Sequence, residues 1–511
     1  MNFRMILRIQ SQAMLSFASI VLLPVAYTVI EFGALDTTIF FAAIGIFSVI
    51  TGMIFKKFGT GRFQRAPLTE SAAAILLMYP ILAVFGCVPF LFTGWLSLPD
   101  ALLETVSDLT SAGLSLLPGD APYLLIMWQS SLMWLGSLLF LIMLVTVLPE
   151  VSGCFGISLS LQGGQGFSSI IGQMNLMSVR IIKVYATLTA ISFAAFKSAG
   201  LDVWDSMLMA MRCISTGGGK FFPAHESFYV EYVAIFVMLL ACGNFLIYYR
   251  VIYTLLPPRI EFGLNYFTRL KQYFFRLKRT IIGNAQLILA NEETKILYAT
   301  IFFGMVILMF RVFCQEIFFD GNEAFRRSLF YIVSFMSTNG ITLSERVANI
   351  HDFDKFFIFL MAMTGGCIGS VTGGFKVIRL IVLIKITVAE IKKTIHPRMM
   401  TAIRVGDTPV PMRTVGRILA YFFLALITMF ICAAILSFDK STTFSDAVSM
   451  SIACLSTVGN LPGLCDADNF ISLSTFGKFF CMIILIVGRL ELFVLLIAIA
   501  GIKIRRKKSD W

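Results

Sequence analysis

The sequence predicts an all-α polytopic membrane protein, in which four tandem helix–pore-helix–loop–helix repeats follow two extra N-terminal transmembrane helices. Three observations carry this prediction. The 511 residues are 58% apolar and only 14% charged, with a mean hydropathy of +0.86, whereas an average soluble chain carries roughly 25% charged residues. The apolar residues fall in blocks such as 12–32, 72–95, 228–249 and 480–500, long enough to cross ~30 Å of hydrocarbon. Between these blocks a short motif ending in glycine recurs four times. The first two observations exclude a soluble enzyme and a nucleic-acid binder.

Helices are expected at 12–32, 36–55, 72–95, 122–148, 177–199, 228–254, 292–316, 353–395 (interrupted), 413–437 and 471–503, which makes ten crossings. The excess of base, 41 Lys and Arg against 29 Asp and Glu, gathers between them. Clusters stand at Arg4 and Arg8, at Lys56 to Arg65, at Arg250 to Arg279, at Lys376 to Arg404 and at Lys503 to Lys508. Placing every cluster in the cytoplasm satisfies the positive-inside rule and puts both termini inside. The net charge of +12 therefore marks topology rather than a nucleic-acid surface. Block 14–30 is read as a retained helix, not a cleaved signal. The ten Cys are scattered singly among three His (His225, His351, His396), so no zinc-ligand spacing arises and the thiols read as small packing groups.

The repeat lies in four segments too short to span, 100–113, 205–218, 327–340 and 446–459. They end Thr110-Ser111-Ala112-Gly113, Ser215-Thr216-Gly217-Gly218, Ser337-Thr338-Asn339-Gly340 and Ser456-Thr457-Val458-Gly459. Their closing glycines are spaced by 105, 122 and 119 residues. Thirteen residues before each glycine stand Asp100, Asp205, Arg327 and Asp446. Such segments are candidate re-entrant pore helices, tolerated at membrane depth only where they line a buried or wet cavity. A cation crossing a membrane exchanges its water shell for other oxygens, and rings of backbone carbonyls supply them. The closing glycines permit the backbone angles that turn carbonyls inward, and the hydroxyls of Thr110, Thr216, Thr338 and Thr457 are additional candidate ligands. The three Asp are expected as N-caps, with the opposite helix ends presenting partial negative charge to the ion. Arg327 breaks that pattern. Asp100, Glu104, Asp108 and Asp120 around the first segment, and Asp466 and Asp468 after the fourth, fit either an acidic vestibule or ordinary solvated loops.

Five glycines within ten residues, Gly365, Gly366, Gly369, Gly373 and Gly374, should unwind the eighth segment, since each costs about 1 kcal/mol relative to Ala in a helix. Together with Ser370 they read as a flexible intramembrane gate; tight packing through small residues is the competing reading. Lys376 and Arg379, just beyond, fit gate latches and interfacial anchors equally well. Arg489 lies inside the last apolar block, where a charge marks a functional site by default, and its i+2 neighbour Glu491 is off its helix face.

With these features the sequence resembles the Trk/Ktr/HKT superfamily of potassium-uptake proteins, in its TrkH type. The resemblance spans essentially the whole chain. It is carried by Glu104-Thr-Val-Ser-Asp-Leu-Thr-Ser-Ala-Gly113, by Gly365-Gly-Cys-Ile-Gly-Ser-Val-Thr-Gly-Gly-Phe-Lys-Val-Ile-Arg379, by His396-Pro397 and by Gly488-Arg-Leu-Glu491, and more weakly by Trp134-Leu-Gly136 and Gly243-Asn-Phe245. It implies a pseudo-fourfold pore with K+ at the four filter loops, a gate at 365–379, and Arg489 projecting into the path below the filter. It also implies a homodimer, a cytoplasmic nucleotide-binding regulatory protein of the TrkA type, and a place in the bacterial inner membrane. The sequence departs from the family pattern at Asp108 (commonly Gly), at Ser137 (Gly), at Gly219 (Phe) and at Lys220, where a small hydroxyl is usual. A Lys220 amine facing the axis would repel cations; one that reaches solvent would not.

The chain thus divides into residues 1–66 (two N-terminal helices), 67–150 (repeat 1), 151–176 (a Gly/Ser-rich cytoplasmic loop), 177–280 (repeat 2), 281–404 (repeat 3) and 405–511 (repeat 4 with a basic end). Loop 151–176 fits a connector or a regulator contact. An inside-negative potential supplies ~2.3 kcal/mol per charge per 100 mV, roughly fifty-fold accumulation, so uptake needs no nucleotide motif in this chain. The competing functions are a Na+/K+-permeable protein or an ion-coupled secondary transporter, a membrane enzyme, and a non-conducting sensor. Broken transporter helices commonly flank substrate sites; here 364–383 holds no Asp or Glu, which counts against coupling. No His lies in a helix core, which counts against catalysis.

Overall fold

A computed structural model of the chain describes residues 3–32, 35–59, 68–146, 174–219, 222, 228–255, 291–314, 321–343, 352–399, 402–406, 408–459, 461 and 467–508. Lys220, loop 151–176 and most of the basic stretch 250–279 lie outside the described residues.

The N-terminal unit is α1 (Phe3–Ile20), α2 (Leu22–Tyr27) with a π-helical turn over Thr28–Phe32, and α3 (Leu35–Phe58). Helix α1 starts well before the expected residue 12. Met5, Ile6 and Ile9 give its basic first turns a buried face, and the buried Gln10 donates to the carbonyl of Ala74 at 2.6 Å. Ile39, Ile46, Phe47 and Met53 of α3 are each more than half exposed. Such a surface is stable only against an apolar solvent.

Four hairpins follow. The first is α4 (Leu68–Gly86) with α5 (Val88–Phe92), α6 (Leu98–Leu109) and α7 (Tyr123–Thr146). The second is α8 (Met174–Ser198), α9 (Val203–Ser215), α10 (Phe228–Cys242) and α11 (Phe245–Leu255). In the third, α12 (Glu292–Cys314) leads to α13 (Gly321–Met336), α14 (Asp352–Thr364) and α15 (Val377–Ile395). A two-residue ribbon, β1 (Arg404–Val405) and β2 (Thr408–Pro409), pairs antiparallel before the fourth. The fourth is α16 (Met412–Leu436), α17 (Phe444–Ser456), α18 (Ala467–Ile471), α19 (Thr475–Leu490) and α20 (Leu492–Lys508).

Among the described residues seven helices are long and apolar enough to cross a membrane, or eight when α19 and α20, bent by 100° at their junction, count as one span. The chain is thus an all-helical, multi-span membrane protein. The two further crossings expected at 228–254 and 353–395 are each split into shorter helices. Gly243 and Asn244 interrupt the first, where Asn244 Oδ1 accepts the Leu246 N–H (2.9 Å) and restarts the helix. The expected unbroken helix 471–503 is corrected as well: it turns sharply at Glu491, which has φ +61°.

The acidic residues expected as N-caps sit one turn further in. The caps are Ser97, Asp202 and Thr443, which places Asp100, Asp205 and Asp446 at the third helical position. Thr443 and Asp446 exchange hydrogen bonds in a capping box, so the acid still meets unpaired N–H groups and the positive helix end. The anomaly at Arg327 disappears. Helix α13 starts at Gly321 with Glu323 in its first turn, and Arg327 sits mid-helix, 3.7 Å from both Glu231 and Glu323.

Candidate ion-coordination site

Helices α6, α9, α13 and α17 each end in the same backbone figure. The second hydroxyl of the motif is left-handed at Ser111 (φ 55°), Thr216 (57°), Thr338 (56°) and Thr457 (52°). Two residues on, Gly113, Gly218, Gly340 and Gly459 also have positive φ. Two reversals two residues apart turn the intervening peptide groups out of the helical direction, a conformation that β-carbons resist. The space is as restrictive as the angle. A Cβ on Gly113 would overlap the carbonyl of Gly217, one on Gly218 that of Asn339, and one on Gly459 that of Ala112. Backbone therefore packs on backbone from the first loop to the second, the second to the third, and the fourth to the first. The third and fourth loops meet through Gly373, whose N–H donates to Thr338 Oγ1 (3.0 Å) and whose α-carbon abuts the Ser456 carbonyl.

The hydroxyls differ in their use. Thr110, expected as a ligand, instead returns its hydroxyl to the carbonyls of Val106 (2.8 Å) and Ser107 (3.1 Å) and closes the end of α6. Ser111 occupies the position equivalent to the other three threonines, and its Oγ lies 2.5 Å from Ser137 Oγ. Ser137 donates to the Ser215 carbonyl at 2.6 Å, joining the first loop to the second. The buried hydroxyls of Thr216 and Thr457 have no protein partner. A buried hydroxyl without a partner costs about 1–3 kcal/mol, so two such oxygens at equivalent turns are candidate ligand-binding groups.

Beneath these turns, residues 365–376 leave the helical path between α14 and α15. Gly365, Gly369 and Gly374 have φ of 68°, 85° and 74°. Gly366 and Gly373 are needed for space, against the Cys242 carbonyl and the Ser456 carbonyl. The loop is tied on several sides. Cys367 N–H donates to the Cys242 carbonyl (2.9 Å), Ile368 N–H to Glu293 Oε1 (2.6 Å), and the Gly369 carbonyl accepts Phe245 N–H (3.0 Å). Lys376, buried, donates to the Thr372 carbonyl and to the hydroxyls of Ser370 (3.2 Å) and Thr372 (3.0 Å).

Three charges fix the loop to its surroundings. Arg489 donates to the Val371 carbonyl (2.8 Å), to Ser111 Oγ (3.3 Å) and to Ser137 Oγ (3.2 Å), and its guanidinium lies 4.2 Å from the Phe140 ring centre. Arg379 pairs with Glu491 at 2.5 Å and stacks 4.1 Å from the centre of Tyr421. Glu491 thus serves Arg379 across the α19–α20 bend rather than Arg489. A cavity of about 270 Å³ lies beside the loop, lined by Thr364, Phe375, Tyr421, Leu455 and Gly488 among others.

Residues 91–506 match the family model described as TrkH, cation transport protein. The chain belongs to the TrkH family. It is 26% identical to the Trk system potassium uptake protein TrkH of Escherichia coli (strain K12) over 97% of this chain and 98% of that protein. It is 25% identical to the Trk system potassium uptake protein TrkG of the same organism over 85% of each chain. In fold it is similar to the crystal structure of the potassium transporter TrkH from Vibrio parahaemolyticus, with a TM-score of 0.80 over 97% of this chain and 98% of that one at 21% identity. TrkH proteins are transporters, which removes the enzyme reading.

The same TrkH-family chain holds a second set of buried charges, Glu104, Asp108 and Arg212, of which the sequence pattern singled out the two acids but not the arginine. Arg212 of α9 is 1% exposed and donates to Ser130 Oγ (2.7 Å), Gln129 Oε1 (2.9 Å) and the Gly218 carbonyl (2.8 Å). Glu104 of α6 accepts from Leu116 N–H (2.7 Å) and from the Gln129 amide. Asp108, flagged by sequence as a departure, is inside α6 rather than in the loop, fully buried, with neither carboxylate oxygen hydrogen-bonded. An intramembrane charge is the signal that singled out Arg489; it applies equally to Arg212.

Proposed function

We propose that this chain carries out potassium uptake, the activity that the names of its relatives state for them, and that the ions pass through a channel-like path. The four turns ending at Gly113, Gly218, Gly340 and Gly459 surround that path in pseudo-fourfold array and coordinate K+ through Thr110–Gly113, Ser215–Gly218, Ser337–Gly340 and Ser456–Gly459. One observation carries the reading: four helix ends with the same double backbone reversal gather together, three of their contacts backbone on backbone and the third-to-fourth contact bridged by Gly373. Carbonyl rings replace the hydration shell of a cation in selective pores, and two unpaired threonine hydroxyls at equivalent turns supply further oxygens.

In this reading the Gly365–Gly374 loop, with Ser370, Lys376 and Arg379, is the gate, and Arg489 adds a fixed positive charge below the filter. The neighbouring cavity leaves room for the loop to move. The wider assembly follows the Trk pattern: a homodimer in the bacterial inner membrane, termini inside, under control of a cytoplasmic nucleotide-binding partner of the TrkA type.

The test is growth rescue and rubidium uptake in cells lacking potassium uptake, with parallel Gly→Ser variants at 113, 218, 340 and 459. The parent restores growth at low potassium and the variants do not. Failure of the parent at every potassium level refutes the function; variants that equal the parent refute the filter assignment.

A further inference from the structure

The buried charges around α6 and α9 form a continuous hydrogen-bonded chain that ends on the second loop. Glu104 holds the Gln129 amide, Gln129 Oε1 accepts from Arg212, and Arg212 Nη1 donates to the Gly218 carbonyl at 2.8 Å. Among the described residues, no other of the four closing-glycine carbonyls accepts a charged donor. The backbone departs at the same place. Gly113, Gly340 and Gly459 have φ of 72°, 67° and 73°, whereas Gly218 has 34°. Beside it Gly219 is also left-handed at 81°, and a Cβ there would meet Arg212 Nη1 at 3.1 Å.

Asp108 completes the arrangement. It lies one helical turn beyond Glu104, is fully buried, and leaves both oxygens without a hydrogen bond; burial and the charge of Glu104 work against its ionised form, and the Arg212 guanidinium is what offsets them. A carbonyl that accepts a guanidinium N–H has less negative charge to offer an ion, and a cation fixed behind a loop repels one in front of it. A carboxylate without donors stabilises any positive charge nearby, whether fixed or passing.

We propose that Arg212 is a selectivity-determining positioning residue: it draws the Gly218 carbonyl back from the ion path, and Asp108 is its counter-charge. The second loop is thereby a weaker cation ligand than the other three, and the Arg212–Asp108 balance sets both the affinity of the ring and its discrimination between alkali cations. This rests on the permeation reading given above.

The test uses the full-length chain in liposomes, with labelled rubidium uptake against rising rubidium and against competing sodium. Arg212→Ser frees the carbonyl and leaves Asp108 uncompensated, lowering half-saturating rubidium by about tenfold. Asp108→Asn leaves only Glu104 to offset the arginine and raises it by about tenfold. The Asp108→Asn/Arg212→Ser double variant returns to within about threefold of the parent, as coupled charges require. Arg212→Lys keeps the charge but loses the fork, so the rubidium-to-sodium ratio shifts while affinity changes little. A purely structural arginine would alter the amount of folded protein and leave that ratio untouched. If Arg212→Ser is not recovered folded, Asp108→Asn and the double variant decide the matter. A conducting parent whose recovered variants keep its half-saturation and ion ratio within about twofold overturns the inference alone. A parent that carries no rubidium overturns the permeation reading with it.

Discussion

Replacing Arg489 by Met keeps the reach and apolar stem of the side chain and removes its charge and donors. One of its bonds is short, to the Val371 carbonyl of the intramembrane loop at 2.8 Å; those to Ser111 and Ser137 are longer, at 3.3 and 3.2 Å. Counting only the short one, a charge-assisted hydrogen bond contributes about 1.5–3 kcal/mol. That corresponds to about a ten- to hundredfold shift in the balance between a held and a released loop. Loss of a fixed cation from the path acts in the same direction. Rubidium influx into liposomes containing the purified variant should therefore exceed that of the parent by about tenfold or more, until permeation itself is limiting. Ser137→Ala, which touches only the filter side of the contact, should leave the loop held. Influx through folded Arg489→Met at or below the parental rate would refute the idea that this arginine fastens the loop.

Gly113→Ala places a Cβ at φ 72° against the Gly217 carbonyl; rubidium uptake should fall by at least about tenfold, since the left-handed angle alone costs about 1–2 kcal/mol. Thr216→Val and Thr457→Val each remove an unpaired buried hydroxyl. The folded protein should melt no lower, and be more stable by up to about 1 kcal/mol, while half-saturating rubidium rises severalfold. Glu491→Gln leaves the buried Arg379 without its counter-charge; a loss of about 3 kcal/mol, seen as a lower melting temperature, should accompany faster ungated flux. Burial opposes ionisation of Asp439, but hydrogen bonds from Ser474 and Ser441 outweigh it and hold its carboxyl below the usual range. A depressed carboxylate contributes stability above its unfolded pKa and loses it as pH falls through the folded value. Parent and Asp439→Asn should therefore differ in melting temperature near neutrality and converge below about pH 4.

Much of this architecture is written in composition and period, which act locally. Apolar blocks must lie in lipid, the four S/T-rich turns repeat in register, and clustered glycines cannot continue a helix. Other features depend on partners far away in the chain. Between Thr475 and Ala500 only Lys478, Arg489 and Glu491 interrupt the apolar run, with no Gly-rich or Pro break after Gly488, yet the helix turns at Glu491, because Arg379, 112 residues earlier, holds that carboxylate. The caps were legible in principle, since Ser97-x-x-Asp100 and Thr443-x-x-Asp446 carry the spacing of a capping box; fixing on the acids alone moved the helix starts one turn inward. Thr110 and Ser111 could not be separated by type, both being hydroxyls, and only the backbone angle tells which one leaves the helix. Arg212 sits in a short helix of mixed polarity, where its charge resembles that of an ordinary surface residue until tertiary packing encloses it.

Three of the four contacts among the turns are made by peptide groups, and every amino acid carries a peptide group. Point substitution can obstruct such a ring but cannot delete the oxygens that compose it. Heritable change in ion preference must then enter from the layer behind, through side chains such as Arg212, Ser137 and Asp108 that pull, brace or polarise one turn at a time. A homo-oligomeric pore would receive each of those changes in every subunit at once. Here one polypeptide encodes all four turns, so each can drift by itself, and the ring can be retuned by quarters.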